Sequence, residues 1–360
     1  MHKLMPGLTI LDHELSELRL LVERQIGVLL DCPNSALAAH VAEFLESENL
    51  DSSAALLSTL RASDRDPSMM ARFLDGILNV TTGFFRHPSA MSALTNYVIP
   101  QLCNRRSDDG PATLRVWSAG CATGEEAYSI AMAICQAMGN GNGTCTPAGT
   151  NGNRDPRSKT VSRGIAPESV PANSQMAKDW SIHIVGTDLL PSAIAAAERG
   201  LYPQSEVDGL PPAMIRSSFS RIGNSNGGQT GNNGKPPAGA FGREDGVTNG
   251  SANGDSNGCA HLLVKPRLRS LVTFNTMNLT KPVYIGRFDC IFCMDVLPHL
   301  SRNQRTALVE RLHLYLEPGG YLFLSQTEKL CAPNLNFRPE VFDGYTVHRK
   351  PLAAGAAYGR

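Results

Sequence analysis

The stretch Leu114 to Met132, LRVWSAGCATGEEAYSIAM, constrains the fold more than any other. Leu114-Arg-Val-Trp117 is a short apolar, β-prone run of the kind that forms a buried strand. Ser118 to Gly124 is a turn of small residues. From Glu125 to Met138, apolar side chains recur at helical spacing, with Ala127, Ile130, Ala131 and Ile134 on one stripe. Strand, glycine turn and helix make the opening unit of a doubly wound α/β sheet, where ligands sit outside the carboxyl ends of the strands. Gly120 and Gly124 lack a Cβ and so let a ligand approach the backbone.

The turn lacks the GxGxxG spacing of a dinucleotide site and has no Gly-Lys-Ser/Thr, which excludes a P-loop. Glu125-Glu126 follows the second glycine. Carboxylates suit a helix N-terminus but repel a phosphate placed there. A ligand with a cationic or hydroxyl-rich end is expected instead. S-adenosylmethionine fits: it has a sulfonium, an α-amino group and a ribose, and no phosphate.

The chain has 360 residues, enough for one large domain or two ordinary ones, and 33 basic residues balance 33 acidic ones. There is thus no global electrostatic case for nucleic acid or membrane binding. No run approaches the ~20 apolar residues of a membrane span. Charges come too early at the N-terminus for a secretory signal, so a cytoplasmic protein, acting as a monomer, is expected. Nine scattered cysteines argue for reduced core thiols. Cys290 and Cys293 form a CxxC, but inside a strand-like run, where residues three apart face opposite sides. They are read as structural, and no metal site is expected.

Residues 10 to 78 read as four helices: Leu11 to Leu30, Asn34 to Leu50 with Asn34 or Ser35 as cap, Ser53 to Leu60, and Pro67 to Leu78. This amino-terminal module (1–78) precedes a second domain (79–350). Asn79 to Pro88, with Phe84-Phe85-Arg86 at its centre, reads equally as a linker that plugs the core or as a specific loop. Pro88 to Leu102 is a helix, Trp180 to Thr187 a second strand, and Pro191 to Arg199 a helix. Asp188 stands at the carboxyl end of that second strand, placed to bind ribose hydroxyls or to cap the helix; both roles are open. Residues 139–175 and 223–258 are low-complexity insertions expected to be disordered; Gly and Asn make up half of the second. Ser218 to Ile222 and His261 to Val264 flank it as strands of a small β-subdomain (203–270). Leu271 to Asn275 and Arg287 to Cys293 are further strands, the latter near-continuously apolar as a central parallel strand should be. Ser301 caps a helix to Tyr315, Glu317-Pro-Gly-Gly320 turns into a strand to Ser325, and Tyr345 to His348 returns as a last strand.

Together these pieces resemble the chemotaxis receptor methyltransferases, the CheR family. The resemblance rests on Phe84-Phe85-Arg86, on Arg115 to Ala131, and on Gly186-Thr-Asp188 with Ala197 to Tyr202. It continues through Val272-Thr-Phe with Asn278-Leu279, Phe288 to Cys293, and Leu314 to Glu328, in order over roughly residues 15 to 335. It implies a class I S-adenosylmethionine-dependent methyltransferase fold (a Rossmann-like doubly wound sheet) behind an all-helical domain, with a small inserted β-subdomain. It also implies methyl transfer from S-adenosyl-L-methionine to receptor glutamates, leaving S-adenosyl-L-homocysteine. By motif match, Thr82 and Arg86 lie at the methionine end of the cofactor, Gly120 in the cradle, Glu125 at the amino group and Asp188 at the ribose. Asn278 and Leu279 flank the adenine, Met294 and Asp295 complete the cofactor site, and Arg86 and His299 lie at the reacting groups.

The chain departs from the family pattern in several places. After Cys293 the family reads Arg-Asn-Val, an apolar pair, then Tyr; here the residues are Met294, Asp295, Val296, Leu297, Pro298 and His299. The family's Asn before the loop Arg falls on Val80, with Asn79 one place early. The second helix, which in the family carries a basic stripe for receptor docking, has one His and neither Lys nor Arg. These changes raise a second expectation, a catalytically impaired homologue that binds the cofactor or its product as a sensor or scaffold. A third is a shift to another acceptor, such as a small carboxylic acid.

Overall fold

The computed structural model describes residues 10–62, 67–78, 81–105, 112–139, 145–147, 180–222, 261–330 and 334–352. By packing, the chain forms two compact units, Met1–Gly200 with Lys265–Arg360, and Leu201–Val264.

Four helices open the first unit: α1 (Asp12–Ile26), α2 (Asn34–Ser47), α3 (Ser53–Arg61) and α4 (Pro67–Ile77). Their stripes pool into one apolar core, among them Leu15, Leu18 and Val22 of α1, Leu37, Val41 and Phe44 of α2, and Phe73 and Leu74 of α4. α1 stops well short of Leu30, because Gly27 takes φ +84 and caps its C-terminus through bonds to Val22 and Glu23. Asn34 does not cap α2 through its side chain; its amide donates to Asp12 and its carbonyl accepts from Arg19. The helix expected from Pro88 is three pieces, α5 (Pro88–Ala93), one π turn (Leu94–Val98) and α6 (Ile99–Arg105).

The sheet begins with β1 (Ala112–Ala119), followed by α7 (Glu125–Gly139), β2 (Cys145–Pro147), β3 (Trp180–Asp188) and α8 (Pro191–Arg199). Apart from Gly139 and β2, the two low-complexity insertions lie outside the described residues, as do Asn79 and Val80. The second unit holds β4 (Leu201–Pro203), α9 (Gln204–Val207), α10 (Pro212–Ser218), β5 (Phe219–Ile222) and β6 (His261–Val264). Its three strands form an antiparallel sheet with β6 in the centre. The first unit resumes with α11 (Pro266–Arg269), β7 (Val272–Thr276), β8 (Phe288–Phe292), α12 (Arg302–Tyr315), β9 (Leu316–Phe323), β10 (Arg338–Phe342) and β11 (Tyr345–Arg349). Ser301 stands at the N-cap of α12, but its side chain makes no capping bond.

Across the large sheet the order is β10-β11-β9-β8-β1-β3, with β7 and the short β2 both pairing with β3. β7, β3, β1, β8 and β9 are parallel, and β11 enters antiparallel between β9 and β10. The core strand β8 is buried throughout, which explains its unbroken apolar sequence. Cys290 and Cys293 are both buried, and among the described residues no cluster of His, Cys, Asp or Glu is fit to hold a metal. β9 runs through Glu317-Pro-Gly-Gly320, where a turn was expected; Gly319 takes φ +79 and the pairing with β8 shifts register there. The order reverses at β1, between β3 and β8, and opens a crevice at the carboxyl ends of these strands.

Candidate active site

A cavity of about 490 Å³ lies in that crevice. Thr82, Arg86, Gly120, Asp188, Asn278, Leu279, Met294, Asp295 and His299 all line it, from loops far apart in sequence. Glu125 is not among the lining residues; it is buried, and both its carboxylate oxygens accept from the Thr123 hydroxyl at 2.8 Å. Its neighbour Glu126 lines the cavity instead. Both stand in the first turn of α7, where one residue's rotation, about 100°, decides which side chain faces the crevice.

The glycine turn is shaped by its backbone. Gly120 takes φ +86, and its N–H and that of Cys121 both donate to the Thr187 carbonyl, at 2.8 and 2.9 Å. A Cβ on Gly120 would stand 2.5 Å from Cγ2 of Val296, so the turn and the 294–299 loop meet without room for a side chain. Asp188 braces both neighbours: Oδ2 accepts from Ala122 N at 2.9 Å and Oδ1 from Leu190 N at 3.0 Å. Burial raises its pKa above the ordinary range, against the pull of these N–H groups.

Glu126 is the most perturbed acid in the cavity. Burial pushes its pKa up to about 7; the Ser118 hydroxyl, donating to Oε1 at 2.6 Å, opposes the rise, while Asp295 and Glu328 add to it. The loop that carries Arg86 docks on the same helix, since Phe85 N donates to Ser129 Oγ at 2.9 Å. Arg86 Nε lies 3.2 Å from Asp295 Oδ2, and His87 Nε2 lies 3.0 Å from the same oxygen. The Arg86 guanidinium also donates to the Thr81 carbonyl.

Asp295 is held in place by its own backbone. It takes φ +58, and Glu328 Oε2 accepts from its N–H at 3.1 Å and from Ser325 N at 2.8 Å, while Oε1 accepts from Leu297 N at 2.9 Å. Met294 is buried beneath the cavity, its sulfur 3.9 Å from the Tyr345 hydroxyl. His299 is exposed at the rim. On the opposite wall the segment after α1 closes the site: Val28 lines the cavity and bridges to Leu300, and Leu29 N donates to the His299 carbonyl at 2.8 Å. Asn278 and Thr280 both donate to the Ile26 carbonyl, at 3.1 and 2.6 Å. The parts that sequence reasoning missed are Glu126, His87, the Glu328 clamp and this strap. Glu328 stood in a matched motif without a role.

The lining suits the ligand expected from the glycine turn. Glu126, Asp188 and Asp295 present three carboxylates, and Arg86 is the one Lys or Arg among the described lining residues. Such a wall disfavours phosphates and favours a cation with hydroxyls, while one guanidinium accommodates a single carboxylate. The volume falls in the range of small-molecule sites, about 300–1,000 Å³. Doubly wound order, an antiparallel last strand and this cavity at the switch point define a class I S-adenosylmethionine-dependent methyltransferase.

Comparison with known proteins narrows the class. The family model described as "CheR methyltransferase, SAM binding domain" matches residues 80–150 and 251–343. Chemotaxis protein methyltransferase 1 of Pseudomonas aeruginosa is 26% identical over 334 residues, covering 89% of this chain and 95% of that one. Chemotaxis protein methyltransferase Cher2 of Pseudomonas putida is 25% identical, covering 89% and 90%, and the chemotaxis protein methyltransferase of Vibrio parahaemolyticus is 24% identical, covering 91% and 93%. Over most of its length the chain is similar to the CheR methyltransferases, as a divergent relative, and its cofactor is S-adenosylmethionine.

Proposed function

We propose that the protein methylates glutamate side-chain carboxylates of chemotaxis-type receptors, or of another acceptor protein, in the cytoplasm. The observation that carries this reading is the convergence of Arg86, Glu126, Asp188 and the 294–299 loop on one cavity at the carboxyl ends of the central strands. When bound, S-adenosylmethionine supplies an electrophilic methyl group on a sulfonium. A carboxylate is already a nucleophile at neutral pH, so the protein needs no strong general base; its task is alignment. Arg86 and Thr82 hold the methionine end, and the Arg86 fork orients a carboxylate. Glu126, in the place first assigned to Glu125, faces the α-amino group. The Asp188 carboxylate accepts from the N–H groups of Ala122 and Leu190, one on each oxygen, and has lone-pair capacity left for a ribose hydroxyl. Leu279 forms an apolar wall for the adenine, and Asn278 bolts that wall to the end of α1. Met294 packs beneath the methionine end, and His299 offers a hydrogen bond to the acceptor at the rim.

One observation favours a second reading, a catalytically impaired homologue that senses the cofactor. Asp295 takes up the guanidinium that should orient the acceptor. Incubation with methyl-labelled cofactor and receptor-bearing membranes separates the two. Base-labile label in the receptor band is expected of the enzyme. No label at any protein concentration, with S-adenosylhomocysteine still bound, supports the sensor.

A further inference from the structure

We infer that Asp295 is an internal carboxylate that occupies Arg86 until a ligand carboxylate displaces it, and that it thereby sets the affinity of the site. This rests on the proposed role of Arg86 as a carboxylate anchor. Three features of the structure support it. Asp295 Oδ2 lies 3.2 Å from Arg86 Nε, and the guanidinium faces the cavity. The aspartate is aimed there by its backbone: φ is +58, and Glu328 grips the N–H groups of Asp295 and Leu297 on either side of Val296. A non-glycine residue in this region is uncommon and is kept by surrounding structure. Finally, His87 Nε2 lies 3.0 Å from the same oxygen, so Asp295 keeps a partner when Arg86 leaves it.

Arg86 and Asp295 are 40% and 36% exposed at their side chains, so the pair is hydrated and exchangeable. Its cost to an incoming carboxylate is accordingly modest, about three- to fivefold in affinity. The incoming group is either the α-carboxylate of the cofactor or the acceptor's side chain; both have the same chemistry.

The test is Asp295→Asn, which keeps the shape and tolerates positive φ. Calorimetry with S-adenosylhomocysteine and with its decarboxylated analogue, together with KM for receptor-bearing membranes, reads both sources. If the cofactor's carboxylate is the displacer, S-adenosylhomocysteine binds Asp295→Asn about three- to fivefold tighter and the decarboxylated analogue binds unchanged. If the acceptor's carboxylate is, both nucleosides bind unchanged and KM falls by a similar factor. Unchanged or weaker binding with unchanged or higher KM overturns the inference. Asp295→Gly, which suits the same φ, repeats the test should the Asn variant fold poorly. Absence of binding to wild type would instead overturn the cofactor-site reading itself.

Discussion

Glu126 shows how one side chain ties the site's electrostatics to its ligand. Its carboxyl is half-buried beside Asp295 and Glu328, and burial is the first cause of its rise to about 7. Between pH 5.5 and 7.5 it passes from mostly protonated to mostly ionised, while an α-amino group stays largely cationic. S-adenosylhomocysteine affinity should therefore rise roughly 25-fold over that window in wild type, in step with the ionised fraction. In Glu126→Gln it should stay flat; calorimetry at three pH values decides. The sign for stability is the opposite. A carboxyl whose folded pKa is raised favours the folded state most below its unfolded pKa, and that contribution is lost as pH rises through about 7. Glu126→Gln should match wild-type melting at pH 4 and exceed it at pH 8. Motif matching cannot choose between Glu125 and Glu126, because the choice depends on the entry angle of α7, fixed by contacts of Gly120 with residues remote in sequence.

At the level of elements, the site is assembled by two connections that leave no periodic trace. One is the Glu328 carboxylate, which accepts from three backbone N–H groups and fixes the loop after β8 to the end of β9. Glu328→Ala leaves these donors without their acceptor, and each unsatisfied buried group costs about 1–3 kcal/mol. The expected result is a destabilisation of about 2–4 kcal/mol in denaturant titrations, with Glu328→Gln recovering part of it. No loss would remove the clamp from the description. The other connection is the strap after α1, whose Gly27 turn places the Ile26 carbonyl against Asn278 and Thr280. Apolar spacing revealed α1 to α4 and the central strands because burial imposes it locally. Gly-Gly in β9 read as a turn because glycine marks bulges and turns alike. Ion pairs such as Arg86 with Asp295 join distant loops, and composition gives no hint of them.

For the whole molecule, the switch point of the sheet decides where chemistry is possible, and the strand order β7-β3-β1-β8-β9 builds it from four crossovers. The glycine turn and the acid after the second strand were legible because this topology brings strand ends to one crevice wherever it occurs. The docking surface for an acceptor is less so. Exposed positions of α2 carry Glu43 and Glu46 and no Lys or Arg, so that helix offers acidic charge to a partner. Among the described residues no helix is long and apolar enough to cross a membrane. The most direct measurement is a calorimetric titration of S-adenosylhomocysteine into wild type and Asp188→Ala, which needs no acceptor. The site described predicts saturable micromolar binding by wild type, weakened at least several-fold in Asp188→Ala. A folded wild-type protein that binds nothing, or an Asp188→Ala variant that binds equally well, would contradict it.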